Sequence, residues 1–337
     1  MLEYPIDKGA VKMGKNVYEN ILDVVGNTPM VKLQKITAGN GINIFAKLEF
    51  MNPMGSVKDR AAKYMIEKAE ADGRIKNGQL IIENSSGNTA LGLAMVAIQK
   101  GYRLKVVVRD RISVEKINQL LALGVDVHKA DSSLPPEDPA SYNQITPRIV
   151  KENPDCYFPD QHNNRENNDS HYFSTGPEIW EQMDGDIQYL VAGIGTGGTL
   201  CGSAKFLKEK DPNIRIIAVD PEGSVFYNWF HHNKLSTPAP YLIEGLGDEF
   251  LIDCVDFSIF DDMYQVSDRE AFLWARRLVR QEGILAGGSS GAALWAVRRL
   301  LSQLKTPARI VTIFPDSAAR YLSTIFDDDW MKSKGFL

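Results

Sequence analysis

Cysteine is scarce. Only Cys156, Cys201 and Cys254 occur in 337 residues, far apart and in no C-x-x-C pair. Such a set offers neither a disulfide framework nor a zinc site, so the expectation is a reducing, cytoplasmic setting and no bound metal. Long apolar runs are lacking too. Nothing approaches the roughly 18 apolar residues of a membrane span, and the opening MLEYPIDKGAVKMGK has no apolar core of a secretory signal. Neither sign of charge dominates, since 38 Lys and Arg against 43 Asp and Glu leave a net charge of −5. A mildly acidic chain is a poor nucleic-acid binder, because that affinity comes from cations neutralising phosphates.

What is present is an ordinary globular balance, 44% apolar and 24% charged, in a chain long enough for about two domains. From residue 43 short β-rich runs alternate with helical windows. Strands are predicted at 44–50, 80–83, 104–108, 189–192, 214–219 and 309–314. Helices are predicted at 57–72 with Ser56 as N-cap and Gly73 as stop, at 89–100 ended by Gly101, and at 114–123 capped by Ser113. Further helices fall at 200–210, 268–281 and 290–304. This βα rhythm calls for parallel sheets covered on both faces. Two polar stretches, 131–142 and 160–169, interrupt it and read as hinge, linker or functional loop.

Four segments carry chemistry. Gly193-Ile194-Gly195-Thr196-Gly197-Gly198-Thr199 follows a strand and opens a helix, where bare backbone and a helix N-terminus suit a phosphate. It also fits G-x-G-x-x-G, with Asp220 ending the next strand, so a phosphate cofactor, a dinucleotide and an empty turn all remain open. Lys58, in Ser56-Val57-Lys58-Asp59-Arg60, falls in a first helical turn, where the macrodipole and Arg60 would ease loss of its proton; the alternative is a solvated surface lysine. Glu83-Asn84-Ser85-Ser86-Gly87-Asn88-Thr89 sets hydroxyls and an amide at a helix start, either as an anion site or as a plain cap. Gly287-Gly288-Ser289-Ser290-Gly291 lies between helical windows, as a site or as a turn.

In this order the four segments resemble the cysteine synthase and cystathionine β-synthase family of pyridoxal-phosphate enzymes. The resemblance runs from Gly26-Asn27-Thr28-Pro29 to Trp330-Met331, and Gln281 to Ser289 looks most like cystathionine β-synthase. It implies an α/β fold of type II, similar to the tryptophan synthase β chain: two three-layer α/β domains with pyridoxal 5'-phosphate in the cleft between them. Residues 51–161 would form a smaller mobile domain, and 16–50 with 162–330 a larger one. Lys58 would bind the cofactor covalently, Asn88 its ring hydroxyl oxygen, Gly195, Thr196, Gly197, Gly198 and Thr199 its phosphate, and Ser289 the pyridine nitrogen. Ser85, Ser86, Gly87, Asn88, Thr89 and Gln161 would hold the substrate carboxylate.

The implied reaction is β-replacement on serine, O-acetylserine or O-phosphoserine through an aminoacrylate, with sulfide or homocysteine giving cysteine or cystathionine. His162 and Asp248 stand where cystathionine β-synthases often have Tyr. With Gly245 they mark the approach of the second substrate and keep open an amine nucleophile and a diaminopropionate-type product. A nicotinamide oxidoreductase would leave Lys58 and the Ser85–Thr89 loop without a role. The resemblance also implies a homodimer acting on small amino acids. Because no Cys precedes Cys156, no His precedes His128 and the chain stops at Leu337, a minimal core is expected, without the haem ligands or the S-adenosylmethionine module of some relatives.

Overall fold

The computed structural model describes residues 17–337 apart from 37–40, 86, 111, 113, 132–133 and 135–137. Ser86 and Ser113 therefore lie outside the described residues, as does much of 131–142. In chain order the strands are β1 (Met30–Lys32), β2 (Asn43–Leu48), β3 (Leu80–Asn84), β4 (Arg103–Arg109), β5 (Asp126–Ala130), β6 (Tyr189–Gly193), β7 (Arg215–Pro221), β8 (Asp262–Val266) and β9 (Arg309–Phe314). The α-helices are α1 (Lys58–Ala71), α2 (Asn88–Lys100), α3 (Val114–Ala122), α4 (Tyr142–Glu152), α5 (Glu166–Tyr172), α6 (Thr175–Gln182), α7 (Gly198–Lys210), α8 (Phe226–His232), α9 (Asp268–Glu282), α10 (Gly288–Leu301) and α11 (Asp328–Ser333). Among them none is long and apolar enough to cross a membrane.

Two sheets organise these elements. The larger runs β1-β2-β9-β6-β7-β8, with every neighbouring pair parallel except β1 with β2. The smaller, β3-β4-β5, is parallel throughout. Tyr157 extends its β3 edge, accepting from Ile82 N at 3.0 Å and donating to Leu80 O at 2.9 Å. Central strands such as β9 (RIVTIF) are buried on both faces, which is why they read as unbroken β-branched runs rather than alternation.

Helix packing then sets the ends of the elements. In α2 a Cβ on Gly92 would lie 3.0 Å from Ala62 Cβ and 3.1 Å from Lys58 O. The bare glycine thus lets α1 and α2 touch and brings Lys58 and Asn88 to one end of the pair. Gly291 does the same for α9 and α10, its added Cβ falling 2.0 Å from Ala271 O.

Some boundaries differ from the sequence reading. β2 stops at Leu48 and continues as a 3-10 turn over Glu49–Met51, whose Glu49 is buried. Ser56 is not the N-cap of α1. It forms a β-bridge with Asp316, Val57 takes the cap position, and Ser56 Oγ accepts from Lys58 N at 3.3 Å. α10 begins at Gly288, two residues earlier than the pattern suggests, so Ser289 is helical. The stretch 160–169 is no linker, since it leads into α5 and buries Asn167 and Gln161.

Candidate active site

A cavity of about 280 Å3 lies between the two sheets and adjoins an inner chamber of about 50 Å3. Lys58, Asn88, Gly195, Thr196, Gly245 and Leu246 line both. Lys58 opens α1, and its Nζ donates to Thr196 Oγ1 at 3.3 Å. Burial pulls its pKa down to about 8, against a smaller upward influence of Cys254. The sequence pattern points to the helix dipole and Arg60 as the cause. Arg60 instead points away, paired with Glu49 at 2.7 Å and Glu178 at 2.6 Å, and desolvation is the main cause at Lys58.

The glycine loop lies opposite Lys58 and ends at the N-terminus of α7, whose first amide N–H groups have no partner within the helix. An added Cβ would fall 2.2 Å from Gly245 O at Gly195, 2.5 Å from Cys254 O at Gly197 and 2.0 Å from Asn167 Oδ1 at Gly198. Neighbouring chain therefore leaves no room for a side chain at any of the three glycines. Asn167 Nδ2 donates to Thr196 Oγ1 at 2.9 Å, and Thr199 Oγ1 is 3.2 Å from Nε2 of the buried His171. Asp220, which a dinucleotide would require, lines neither chamber. It is buried, its Oδ2 accepts from Tyr227 N at 2.9 Å, and burial raises its pKa to about 7.

Asn88, at the start of α2, donates through Nδ2 to Asp316 Oδ2 at 3.0 Å, while its Oδ1 is buried without a partner. Ser289 lines the inner chamber and is buried. Ser85, Gly87 and Thr89 line the outer cavity. Thr89 Oγ1 donates to Gln161 Oε1, and Gln161 Nε2 donates to Asn84 O at 3.4 Å, so the described members of the predicted carboxylate group are brought together.

His162, Gly245 and Asp248 also line the outer cavity. Burial, and after it the charge of Lys58, lowers the His162 pKa to about 4, leaving the ring neutral near pH 7. Burial raises Asp248 to about 6. Sequence reasoning missed the mouth. There Lys116 of α3 is buried against Glu244, with its Nζ 5.1 Å from the Tyr321 ring centre. Arg109 lies over the Tyr142 ring at 4.6 Å and 4.0 Å from Glu249, and Tyr241 completes the wall. A lysine in helical register with the buried Leu120 was the readable signal for Lys116.

Comparison with known proteins bears on this geometry. A family model described as pyridoxal-phosphate dependent enzyme matches residues 21–316. The chain is 42% identical over 323 residues to a cystathionine beta-synthase of Apis mellifera, covering 95% of this chain and 64% of that protein. It is 40% identical over 324 residues to the cystathionine beta-synthase of Saccharomyces cerevisiae, covering 93% of this chain and 64% of that one. The chain thus spans about three fifths of these relatives' length. A solved structure of a hydrogen sulfide-producing enzyme from Fusobacterium nucleatum superposes with a TM-score of 0.83 at 35% identity, covering 91% of this chain and all of that one.

Proposed function

The chain belongs to the family of pyridoxal-phosphate-dependent enzymes, with their type II α/β fold, and from that premise we propose that it catalyses β-replacement on serine or an activated serine with a sulfur nucleophile. The observation that carries this reading is the Lys58 amine, its pKa lowered to about 8 at the edge of a glycine cradle. The residues fit the cofactor. Asn88 has a buried oxygen without a partner that can accept from a ring hydroxyl, and the loop at Gly195 to Thr199 leaves no room for a Cβ at its three glycines. Lys58 would hold the cofactor covalently, the loop its phosphate, Asn88 its ring oxygen and Ser289 its ring nitrogen. Bound there, the cofactor supplies an electron sink for the amino acid's α-carbon, a modest one where a serine hydroxyl rather than a carboxylate meets the ring nitrogen.

The chain's own groups do the rest. Ser85, Ser86, Gly87, Thr89 and Gln161 bind the donor carboxylate. Lys58 takes the α-proton, the β-carbon–oxygen bond breaks with its electron pair on the departing oxygen, and the incoming sulfur bonds to the β-carbon. Lys58 then returns the proton to the α-carbon, and the thiol proton leaves with the departed oxygen group. Cysteine forms from sulfide and cystathionine from homocysteine. The same reading takes 51–161 as a smaller mobile domain closing on 16–50 with 162–330, in a cytoplasmic homodimer.

The test is spectroscopic. Purified protein given pyridoxal phosphate should gain a visible absorbance band that Lys58→Ala abolishes. Serine, O-acetylserine or O-phosphoserine should shift that band, and a thiol should restore it. Loss of the reading follows if no donor shifts it, or if Lys58→Ala retains full turnover.

A further inference from the structure

Glu83 is a buried acid that the chemistry above does not use. It follows Ile81 and Ile82 in β3, and like them it is fully buried. An apolar side chain would fill that place without the cost of taking a carboxyl group out of water. The cost shows in its titration. Burial lifts its pKa to about 8 against the backbone N–H groups of Asn84, Gln161 and Asp160, with the Asp160 charge a smaller upward influence.

Its two oxygens reach different segments. Oε1 accepts from its strand neighbour Asn84 N at 2.9 Å, and Oε2 from Gln161 N at 3.3 Å, 78 residues along the chain. A carboxylate accepts at both ends, whereas the amide of glutamine accepts at one and donates at the other. The turn held in this way is an unusual one. Asp160 has φ +51°, the left-handed region that favours glycine, and beyond it Gln161 O accepts from Asn167 Nδ2 of α5 at 2.9 Å. The Gln161 side chain meets the Ser85–Thr89 loop, Oε1 accepting from Thr89 Oγ1 and Nε2 donating to Asn84 O at 3.4 Å. Nε2 keeps a second hydrogen for an anion in the outer cavity, which Gln161 lines. Glu83 itself lines neither chamber.

Resting on the donor-carboxylate site of the β-replacement reading, we propose that Glu83 is a positioning residue for that site: it fastens the Asp160–Gln161 turn to the end of β3 and so sets Gln161 Nε2 against the carboxylate. It touches neither substrate nor cofactor and acts through Gln161.

Glu83→Gln keeps the size and gives up one acceptor, so its new N–H2 faces the N–H of Asn84 or of Gln161. In the holoenzyme, donor KM should rise about tenfold, the range of one misplaced hydrogen bond, with kcat within about threefold because Lys58 and the cradle are untouched. Calorimetric binding of L-alanine, which has the carboxylate and no leaving group, should weaken by the same factor. Cofactor affinity should stay within about twofold and the melting midpoint close to that of the unmodified protein, since a buried acid is removed along with the contact. In a Gln161→Ala background, Glu83→Gln should change alanine binding by less than about twofold. Additive effects of the two substitutions, an unchanged donor KM and alanine affinity, or a Glu83→Gln protein that loses its cofactor or melts well below the unmodified one overturns the proposal. Where alanine behaves as stated but no donor shifts the absorbance band, the proposal stands and the β-replacement reading fails. Where the unmodified holoprotein binds neither alanine nor a donor, both fall.

Discussion

The two walls of the cleft are built by different means. On the large-sheet side, the loop at Gly195, Gly197 and Gly198 is closed in by Gly245 O, Cys254 O and Asn167 Oδ1, each within 2.5 Å of where a Cβ would sit. On the small-sheet side, an added Cβ on Gly87 would meet nothing nearer than Lys116 Nζ at 3.8 Å. The mouth there is spanned by long side chains, Lys116 to Glu244 and Arg109 to Glu249. One wall is defined by backbone and the fully buried Asn167 side chain and has little room to yield, while the other is defined by side-chain ends that can change rotamer. The first arrangement suits a resident group whose phosphate must be met the same way in every cycle. The second suits substrates that come and go.

Gly195→Ala is the severest way to challenge this contrast. Its Cβ would sit 2.2 Å from a backbone oxygen, so the glycine loop and the 241–249 segment must part. Overpacking of that kind costs about 1–3 kcal/mol, and placed in the cradle it should weaken pyridoxal phosphate binding on the order of a hundredfold. Equilibrium dialysis measures the loss, and the melting midpoint of the cofactor-free protein separates it from unfolding. Unchanged affinity would mean that the cradle is as adjustable as the opposite wall.

Lys58 belongs to both walls, rooted in α1 on one side and bonded to Thr196 on the other, so its titration reads how closed the cleft is. The neutral amine is the form that captures the cofactor. With the pKa lowered from 10.5 to about 8 by burial, the capture rate should rise about tenfold per pH unit below pH 8 and flatten above it. A cleft that stood open in solution would return water to the amine and move the break upward toward the ordinary lysine value of 10.5. Stopped-flow capture from pH 6 to 10 distinguishes the two profiles.

How much of this was legible follows the same division. The glycine loop, Lys58, Asn88 and Ser289 are local: each sits at the junction of a strand or turn with a helix, where residue type and spacing carry the message. The βα rhythm was equally local, so β3, β4 and β9 fall where the pattern places them. The mouth was not. Glu244 and Tyr241 occupy an irregular stretch without periodicity and acquire meaning only when Arg109 and Lys116 arrive from the other sheet, while Asp248 in the same stretch was singled out only through the family resemblance. Arg60 failed for the same reason, since its partners Glu49 and Glu178 lie 11 and 118 residues away along the chain. A local reading saw a cation next to Lys58 and assigned it repulsion that those carboxylates absorb.

Gly87→Ala should produce the smallest effect and the finest discrimination. Gly87 has φ −168°, outside the left-handed region that favours glycine, and the added methyl has ordinary contact distance to Lys116. Folding and cofactor affinity should therefore stay within about twofold. The methyl does intrude on the cavity side of the Ser85–Thr89 loop, where the donor carboxylate is expected, and a partial clash with a group that can shift costs on the order of 1 kcal/mol or less. Donor KM should accordingly rise several-fold while kcat changes less, because Lys58 and the cradle are untouched. Should the substitution instead abolish cofactor binding, the small-sheet wall would be holding the cofactor as firmly as the glycine loop does, and the distinction between a fixed wall and an adjustable one would fall.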